Sequence, residues 1–241
     1  MLSIKPIVTG SDGNLYIINS NDNLYLLECG IKYKEIIRYL HTQNLLISQF
    51  KGCFITHKHS DHAYAIRDIS KYMSIYTNRE VKEMLYYGDL ILNPKKAYFF
   101  EGNLCVMPFN VEHGSAECYA YMFKNDDYKI LFITDCFKFE EPLKAKFNEI
   151  YIECNWTSEL MLEALERTKD TPEHKKFDRQ YQTHLSLDNL KLILERSLDL
   201  SNCKKIVLVH ASKEVCDKNL ALKELKALYP NIDISFAENE F

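Results

Sequence analysis

The alternation of apolar and polar positions predicts two β-hairpins in this chain. The runs NLYIINS and NLYLLEC are joined through Asn21-Asp22, and the two halves of CYAYMFKNDDYKILFITDC are joined through Asp126-Asp127. In both cases a dipeptide typical of tight turns separates two stretches rich in aromatic and β-branched residues. In KAYFFEGNLCVMPFNVEH, the residues Glu-Gly-Asn form a predicted turn between two further strands.

Helical spacing of apolar residues alternates with the remaining predicted strands. We predict helices in IKYKEIIRYL, in the segment that follows His62, and in VKEMLYYGDL, SELMLEALERTK, SLDNLKLILERSL and ALKELKAL. The runs GCFITH, MSIYT, EIYIEC, CKKIVLVHAS and DISFA predict strands. The segment KDTPEHKKFDRQYQT, residues 169–183, lacks a regular pattern, and we expect an exposed charged loop beside the functional site.

The order of these elements predicts a single domain over residues 1–241. Strands and helices are mixed along the whole chain, which is typical of the α/β class, broadly including α+β folds. The chain has 241 residues, which suffices for one large core, and it contains no repeat, linker or low-complexity tract.

Composition and charge narrow the classes of function. The formal net charge is −4, so the chain has no overall basic field of the kind that coats nucleic acid non-specifically. The sequence has no apolar run long enough for a membrane span and no secretion signal at its start, so we expect no membrane partner. Its eight cysteines are scattered, many of them inside apolar strands, and form no CxxC pair. That usage is typical of reduced, buried cysteine in a cytoplasmic protein.

Metal-competent side chains occur where apolar strands end. The runs FITH, FNVEH, LFITD and IVLVH end at His57, His113, Asp135 and His210. The first of these continues as HKHSDH, which places three histidines and one aspartate within six positions. Each position of that H-x-H-x-D-H spacing is a ligand type, so the motif is a strong signal for a metal site.

These residues divide into two predicted groups of metal ligands. The first group is His57, His59 and His113, the second group is Asp61, His62 and His210, and Asp135 can serve both. Imidazole and carboxylate ligands suit Zn²⁺ or Mn²⁺, and iron also fits. A rim with this many ligands predicts two divalent cations that share a water and clamp an in-line displacement.

Simpler interpretations exist for each of these residues. The His57–His62 segment can be a solvated polar loop, and His113 or His210 alone can be an ordinary histidine at a strand end. Asp135 follows an apolar run and is also typical of a turn or a helix N-cap. The ligand-rich first motif makes the metal interpretation stronger for all of them.

In order along the chain, the segments ITHKHSDHA, VEHGSAE, FITDC and VLVHAS resemble the metallo-β-lactamase-fold hydrolases, and the resemblance covers nearly the whole sequence. It is closest to the YycJ/WalJ-like group, which is related to the RNase Z-type phosphodiesterases. GSDGNLYII is similar to the group's GSSGN opening, LLECG to its LLDAG, IECNW to its LESNH, and THLSLDNL to its HLSN segment. Glu28 stands where the family has the aspartate of DAG.

The resemblance implies a four-layer αββα sandwich with a dinuclear site at one edge of its two sheets. It assigns the first and second groups to one metal each, with Asp135 as the bridge and Asp61 also in a catalytic role. It further implies that His184, in THLSLDN, is the general acid that protonates the leaving oxygen; otherwise, His184 simply enters a helix capped by Ser186. Ser186, Glu153 and Asn155 are weaker candidates, either for supporting the metal ligands from behind or for binding substrate.

The implied activity is hydrolysis of phosphodiester bonds with two Zn or Mn ions, most directly as a DNA exonuclease. The alternative substrates are cyclic nucleotides or other small phosphodiesters, and then thioesters. A non-catalytic binder that keeps the fold is a further alternative from a different class. The predicted partner is therefore DNA or a cyclic nucleotide, and the tendency of relatives to dimerise leaves a homodimer open.

Overall fold

The first sheet begins with a hairpin whose turn residues have left-handed backbone. Asn21 and Asp22 adopt φ values of 48° and 64°, as a tight two-residue turn between twisted strands requires. In the computed structural model, which describes residues 1–139 and 142–240, six strands form this sheet in sequence order. They are β1 (Leu2–Val8), β2 (Leu15–Ser20), β3 (Asn23–Leu27), β4 (Phe50–Phe54), β5 (Ser74–Thr77) and β6 (Leu90–Ile91).

The second sheet contains the other predicted hairpin, which turns at Asp126-Asp127. Its seven strands run in the order β15-β14-β12-β10-β9-β8-β7. They are β7 (Tyr98–Phe100), β8 (Leu104–His113), β9 (Ala116–Asn125), β10 (Tyr128–Ile133), β12 (Glu149–Glu153), β14 (Lys205–Val209) and β15 (Asp233–Phe236). A short pair, β11 (Leu143–Lys146) and β13 (Leu198–Asp199), lies outside it. The strands from β10 to β15 pair in parallel, so their carboxyl ends meet at one edge.

Helices cover the outer face of each sheet. The described residues contain eight α-helices: α1 (Tyr33–Thr42), α2 (Ser60–Ala63), α3 (Ile66–Ile69), α4 (Arg79–Leu85), α5 (Ser158–Thr168), α6 (His174–Thr183), α7 (Leu187–Arg196) and α8 (Lys218–Leu228). Apolar residues of α1, α3 and α4 pack on the first sheet, and those of α7 and α8 pack on the second. Between the sheets lies a third apolar cluster, which is rich in aromatic rings. In this cluster the Tyr16 and Phe132 rings meet edge to face, with their centroids 4.9 Å apart. The chain is therefore a four-layer αββα sandwich.

The structure corrects the prediction for residues 169–183. We expected a loop there, but ten of these residues form α6 (His174–Thr183). Only Phe177 and Gln180 are buried along α6, and Phe177 packs into a small cluster with Met161 and Ala164 of α5. One apolar anchor in a strongly charged segment is too weak a periodic signal for a sequence-based prediction. Tertiary packing against α5 stabilises this helix.

Two other predicted helices are shorter than their apolar patterns suggest. The segment after His62 forms two single turns, α2 and α3, which do not extend to Met73. The helix predicted in VKEMLYYGDL ends at Leu85, because Tyr86 adopts a left-handed φ of 63°. All eight cysteines are unpaired thiols, as expected. Within the described residues, no helix has the length and apolarity needed to cross a membrane.

Candidate metal centre

The predicted ligands come together where strands of both sheets end. His57, His59, Asp61 and His62 lie between β4 and α2 or within α2 itself, on the first sheet's side. The second sheet supplies one residue at or just after the end of each of three strands: His113 ends β8, Asp135 follows β10, and His210 follows β14. Asp135 and His210 have left-handed φ values of 40° and 53°. Such backbone costs energy in a non-glycine residue and is concentrated at functional sites.

The first group converges on one point. His59 Nδ1 lies 2.9 Å from His57 Nε2 and 3.2 Å from His113 Nε2. Asp135 Oδ2 lies 3.8 Å from His57 Nε2 and 3.4 Å from His113 Nε2. One ligand atom from each of the four residues therefore lies within 4.8 Å of all the others.

The second group converges on the opposite side of Asp135. Asp61 Oδ2 lies 3.3 Å from His62 Nε2 and 3.3 Å from His210 Nε2. Asp135 Oδ1 lies 3.1 Å from His62 Nε2 and 3.4 Å from His210 Nε2. Asp135 thus presents Oδ2 to the first group and Oδ1 to the second.

The chemistry of this donor set fits divalent cations. His57, His62, His113, Asp135 and His210 are all nearly or fully buried. Ring nitrogens and carboxylate oxygens that face one another in a buried site are costly unless something satisfies them together. Nitrogen and oxygen donors in this number suit Zn²⁺ or Mn²⁺. Two sets of four donors that share one carboxylate suit a pair of such ions.

In His57 and His113 of the first group, the second ring nitrogen has a partner in the surrounding protein. His57 Nδ1 lies 3.0 Å from Thr56 Oγ1, and His113 Nδ1 lies 2.8 Å from the backbone carbonyl oxygen of Thr183. Such contacts fix the tautomer and the orientation of a ligand histidine. The contact to Thr183 also joins the centre to the end of α6.

In the second group these supporting partners are mainly acidic. His62 Nδ1 lies 3.4 Å from Glu28 Oε1, and His210 Nδ1 lies 3.4 Å from Glu153 Oε1 and 3.1 Å from Asn155 Nδ2. Glu28 is fully buried, and both of its carboxylate oxygens accept from the backbone N–H of Thr56 at 3.3 Å. The glutamate that departs from the family's aspartate is therefore within reach of His62.

Burial lowers the pKa of each imidazole in the first group. Loss of hydration, reinforced by the neighbouring His62, holds the pKa of His57 well below its usual value. Burial and His113 lower the pKa of His59 to about 4, and burial also lowers the pKa of His113. Neutral imidazole is the form that binds metals, so these three side chains are ready to coordinate at neutral pH.

Carboxylates govern protonation in the second group. Burial opposes the charged imidazoles, but Asp135 and the other nearby carboxylates raise the pKa of His62 well above its usual value and that of His210 to about 10. Burial opposes the charged carboxylates too, yet His62 and His210 lower the pKa of Asp61 and Asp135. A cation that binds here replaces protons held between imidazole and carboxylate.

His184 lies beside the second group and is held by Glu153. Its Nδ1 is 2.6 Å from Glu153 Oε1, and its ring stacks on that of His210 with centroids 5.3 Å apart. The backbone N–H groups of Cys136 and Leu185 donate to the other oxygen of Glu153, at 2.8 Å and 3.1 Å. Since Glu153 occupies Nδ1, Nε2 is the nitrogen of His184 left for proton transfer.

Of the weaker candidates, none lines the cavity at the metal centre. Glu153 and Asn155 contact His184 and His210 from behind, as described above. Ser186 is the N-cap of α7, where its Oγ accepts from the backbone N–H of Asn189 at 3.0 Å. The structure thus gives Ser186 the capping role that was its simpler interpretation.

Three contributors to the site were missed in the sequence. The side chain of Asn14 places Nδ2 3.1 Å from His62 Nε2, and the carbonyl of Thr183 holds His113. Arg179 of α6 lines the cavity at the metal centre. The GSDGN opening was a signal for Asn14, but nothing local marks a backbone carbonyl or an arginine in a segment expected to be a loop.

The centre lies at the bottom of an open, polar cavity of about 400 Å³. His59, Asp61, His113, Asp135, His184 and His210 all line it, so the metal ligands and the candidate acid face the same space. Ser11, Ser60 and Ser115 add hydroxyl groups to the wall. A small anionic group that reaches both groups of ligands therefore also meets His184.

Two bacterial nucleases are similar to this chain in sequence. Exodeoxyribonuclease YycJ of Bacillus anthracis is 26% identical over 143 residues, which is 56% of this chain and 54% of that protein. Exodeoxyribonuclease WalJ of Streptococcus pneumoniae is 26% identical over 142 residues, 54% of this chain and 52% of that protein. The chain thus spans about half the length of the curated relatives that it matches. No family model matches it.

Solved structures share the architecture over almost the whole chain. The metallo-β-lactamase-fold protein YhfI of Bacillus subtilis has a TM-score of 0.71 at 13% identity and covers 99% of this chain and 96% of its own. The short form of human tRNase Z has a TM-score of 0.66 at 15% identity, with coverages of 99% and 97%. A diphosphatase of the PhnP family has the same TM-score and identity, with coverages of 98% and 95%. At these identities the likeness establishes the fold.

Proposed function

We propose that this chain, which has the metallo-β-lactamase fold and is similar in sequence to YycJ and WalJ exodeoxyribonucleases, is a metal-dependent hydrolase of phosphodiester bonds. The observation that carries the proposal is Asp135, whose two oxygens face two separate groups of ligands. The proposed ligands are His57, His59 and His113 for one divalent cation and Asp61, His62 and His210 for the other, with Asp135 between them. Zn and Mn are the candidate metals.

Two such cations, held by these residues, would lower the pKa of a bound water and would neutralise charge on the phosphoryl oxygens. The protein's own groups complete the chemistry. Asp61 lines the cavity and accepts a hydrogen bond from the attacking water. His184 donates a proton from Nε2 to the departing oxygen, and Glu153 holds the ring in the tautomer that this donation needs.

Among phosphodiesters we infer DNA as the substrate, with exonuclease action. The names of the two sequence relatives support DNA, and the general-acid histidine supports an alkoxide leaving group, which must be protonated. Thioester hydrolysis is less well supported, because a thiolate leaves without such help. A cyclic nucleotide is the second candidate, since the net charge of −4 provides no overall attraction to a polyanion.

A substrate panel tests this proposal. Protein reconstituted with Zn²⁺ or Mn²⁺ is assayed on bis-p-nitrophenyl phosphate, single- and double-stranded linear DNA, RNA, cyclic mononucleotides and a thioester, with metal content measured in parallel. We expect two metals per chain and cleavage of the aryl phosphodiester and of DNA. Cleavage of cyclic nucleotides alone would select the second candidate, and turnover of the thioester alone would contradict phosphodiester hydrolysis. Retained metal without any turnover would indicate a binding protein.

Two further features belong to the proposal. Eight unpaired cysteines, six of them buried, fit a reducing compartment, and we infer a cytoplasmic location. A homodimer stays a prediction, which sedimentation of the metal-loaded protein tests directly.

A further inference from the structure

Helix α6, absent from the sequence-based prediction, forms one wall of the cavity at the metal centre. Arg179 and Thr183, one helical turn apart, both line this cavity, and His184 follows directly. Among the described residues Arg179 is the only lysine or arginine that lines it. Arg179 is exposed, and no described carboxylate lies within 4 Å of its guanidinium. The cavity thus has one cation beside a site for an anionic substrate.

A further cavity lies along α6, next to the one at the candidate metal centre. A second cavity of about 210 Å³ shares Ser11 with the first and is lined by Lys176 and Gln180 of the same helix. Lys176 precedes Arg179 by three residues, so both lie on the same side of α6. The same helix therefore borders both spaces with a positive side chain.

A third cavity extends this groove to the edge of the second sheet. It has a volume of about 680 Å³ and shares Thr9, Ala211, Lys213 and Asn239 with the second cavity. Lys218 and Lys226 of α8 add two further exposed cations to its lining. Lys218 Nζ lies 5.2 Å from the centre of the Phe236 ring, which also lines this cavity. Shared lining residues thus place the three cavities side by side, beginning at the candidate metal centre, and we refer to them together as the groove.

Acidic residues in the groove offset part of this charge. Lys176 pairs with Glu214, Lys213 pairs with Asp12 at 2.6 Å, and Glu238 lines the third cavity. Both pairs are about half exposed or more, and exposed ion pairs are weak enough for a phosphate to exchange with the carboxylate. Arg179, Lys218 and Lys226 have no carboxylate partner among the described residues. The groove therefore has lysine and arginine side chains spaced along it, with acidic side chains between them, and is not a patch of high net positive charge.

Resting on the proposed function, we propose that this groove binds a single polynucleotide strand and that Arg179 holds the phosphate next to the scissile one. Guanidinium groups suit this task because they donate paired hydrogen bonds to phosphate oxygens. A cyclic mononucleotide has a single phosphate, which the proposed metal ions would engage. Neither Arg179 nor the two further cavities then has a role in binding it. The groove therefore selects the polymer over the small cyclic substrate.

The test of Arg179 compares two substrates of the metal-loaded enzyme. Bis-p-nitrophenyl phosphate has only the reacting phosphate, whereas a twelve-nucleotide single strand also has neighbouring phosphates. We expect Arg179→Ala to raise KM for the oligonucleotide about tenfold. Because Arg179 also lines the cavity at the metal centre, kcat/KM for the aryl diester should fall too, but by a much smaller factor. Arg179→Lys should recover only part of the loss. The matched control is Arg167→Ala, an exposed arginine on α5 that lines none of these cavities.

The far end of the groove is tested on α8. Lys226 lines the third cavity, while Lys223, also exposed on this helix, does not. We expect Lys226→Gln to flatten the dependence of log(1/KM) on log salt by about 0.7 for a long single strand, the value for one lost phosphate contact. Lys223→Gln removes the same charge and should leave the slope unchanged. Strands too short to reach α8 should not distinguish the two variants.

The outcomes separate this inference from the proposed function. If the wild-type protein cleaves the aryl diester and DNA while Arg179→Ala leaves KM for the oligonucleotide unchanged, the inference is wrong and the function stands. An equal loss on both substrates also overturns it, because it would indicate disturbance of the metal centre through α6. Failure of the wild-type protein to cleave any phosphodiester would instead remove the proposed function.

Discussion

The two sheets contribute to the metal centre in different ways. The first sheet's side supplies His57, His59, Asp61 and His62 from one short segment that runs from the end of β4 into α2. The second sheet supplies His113, Asp135 and His210 at or just after the ends of three separate strands. His184, the candidate acid, comes from the connection between α6 and α7. The local segment fixes the relative positions of its ligands through one turn, whereas the second set depends on the register of a whole sheet.

Each half therefore needs the other to complete a ligand set. The first group takes two histidines from the local segment and one from the second sheet, and the second group takes Asp61 and His62 from the segment and His210 from the sheet. Asp135 joins the two groups because β10 lies in the middle of the second sheet. This division predicts which variants should lose both metals and which should lose a single contribution, such as one metal or the proton donor.

The largest effect should come from Asp135→Ala, which removes the residue shared by both groups. We expect loss of both metals and a fall in kcat of about a thousandfold or more, because metal stabilisation of the reacting phosphate accounts for several kcal/mol. Metal content and turnover of bis-p-nitrophenyl phosphate measure the two effects together. A circular dichroism spectrum like that of the wild type would confirm that the fold persists. A variant that keeps two metals would contradict the bridging role.

A smaller loss of activity is expected from His184→Ala. This variant changes only a residue on the second sheet's side and leaves every proposed metal ligand in place. Two metals should remain, while kcat for DNA should fall about 100- to 10,000-fold, the usual contribution of a general acid. Turnover of bis-p-nitrophenyl phosphate should fall much less, since p-nitrophenolate departs without a proton. Equal losses on both substrates would rule out the general-acid role. Glu153→Gln should also lower kcat for DNA more than turnover of bis-p-nitrophenyl phosphate, but both losses should be smaller than in His184→Ala.

Glu28→Gln should affect only one group of ligands. Glu28 lies at ion-pair distance from His62 Nδ1, which has no hydrogen-bond partner among the described residues. We therefore expect affinity for one of the two proposed metals to fall about 10- to 100-fold while the other is unchanged. A metal titration that resolves two binding steps measures this. The matched control is Glu163→Gln, an exposed glutamate on α5. Equal weakening of both steps would show that the two groups do not act separately.

The smallest effect is expected for Ser186→Ala. Its hydroxyl caps α7, so the free energy of unfolding should fall by about 1 kcal/mol. KM for DNA should stay at the wild-type value, because Ser186 does not line the cavity. Urea denaturation and steady-state kinetics test the two statements independently. A raised KM with unchanged stability would restore Ser186 as a substrate-binding residue.

Sequence patterns predicted the fold well wherever neighbouring residues determine structure. Both hairpins formed at the expected dipeptides, since Asn and Asp tolerate the positive φ of such turns. The strands between these turns also appeared where the apolar runs predicted them. The exceptions included α6, which has one apolar anchor and needs α5 to pack against. The helix predicted after His62 is replaced by the two short turns α2 and α3, and the helix predicted in VKEMLYYGDL ends early, at Leu85.

The sequence by itself determined which side chains are candidate metal ligands in this protein. The H-x-H-x-D-H spacing and the polar residues at strand ends specify the donors, because side-chain type and short-range spacing are local properties. Only the tertiary structure decided that the two oxygens of Asp135 face different groups, that Glu153 holds His184, and that Arg179 reaches the cavity. Those relations join residues many positions apart, and they depend on how strands pair and on how α6 packs, which no local pattern encodes.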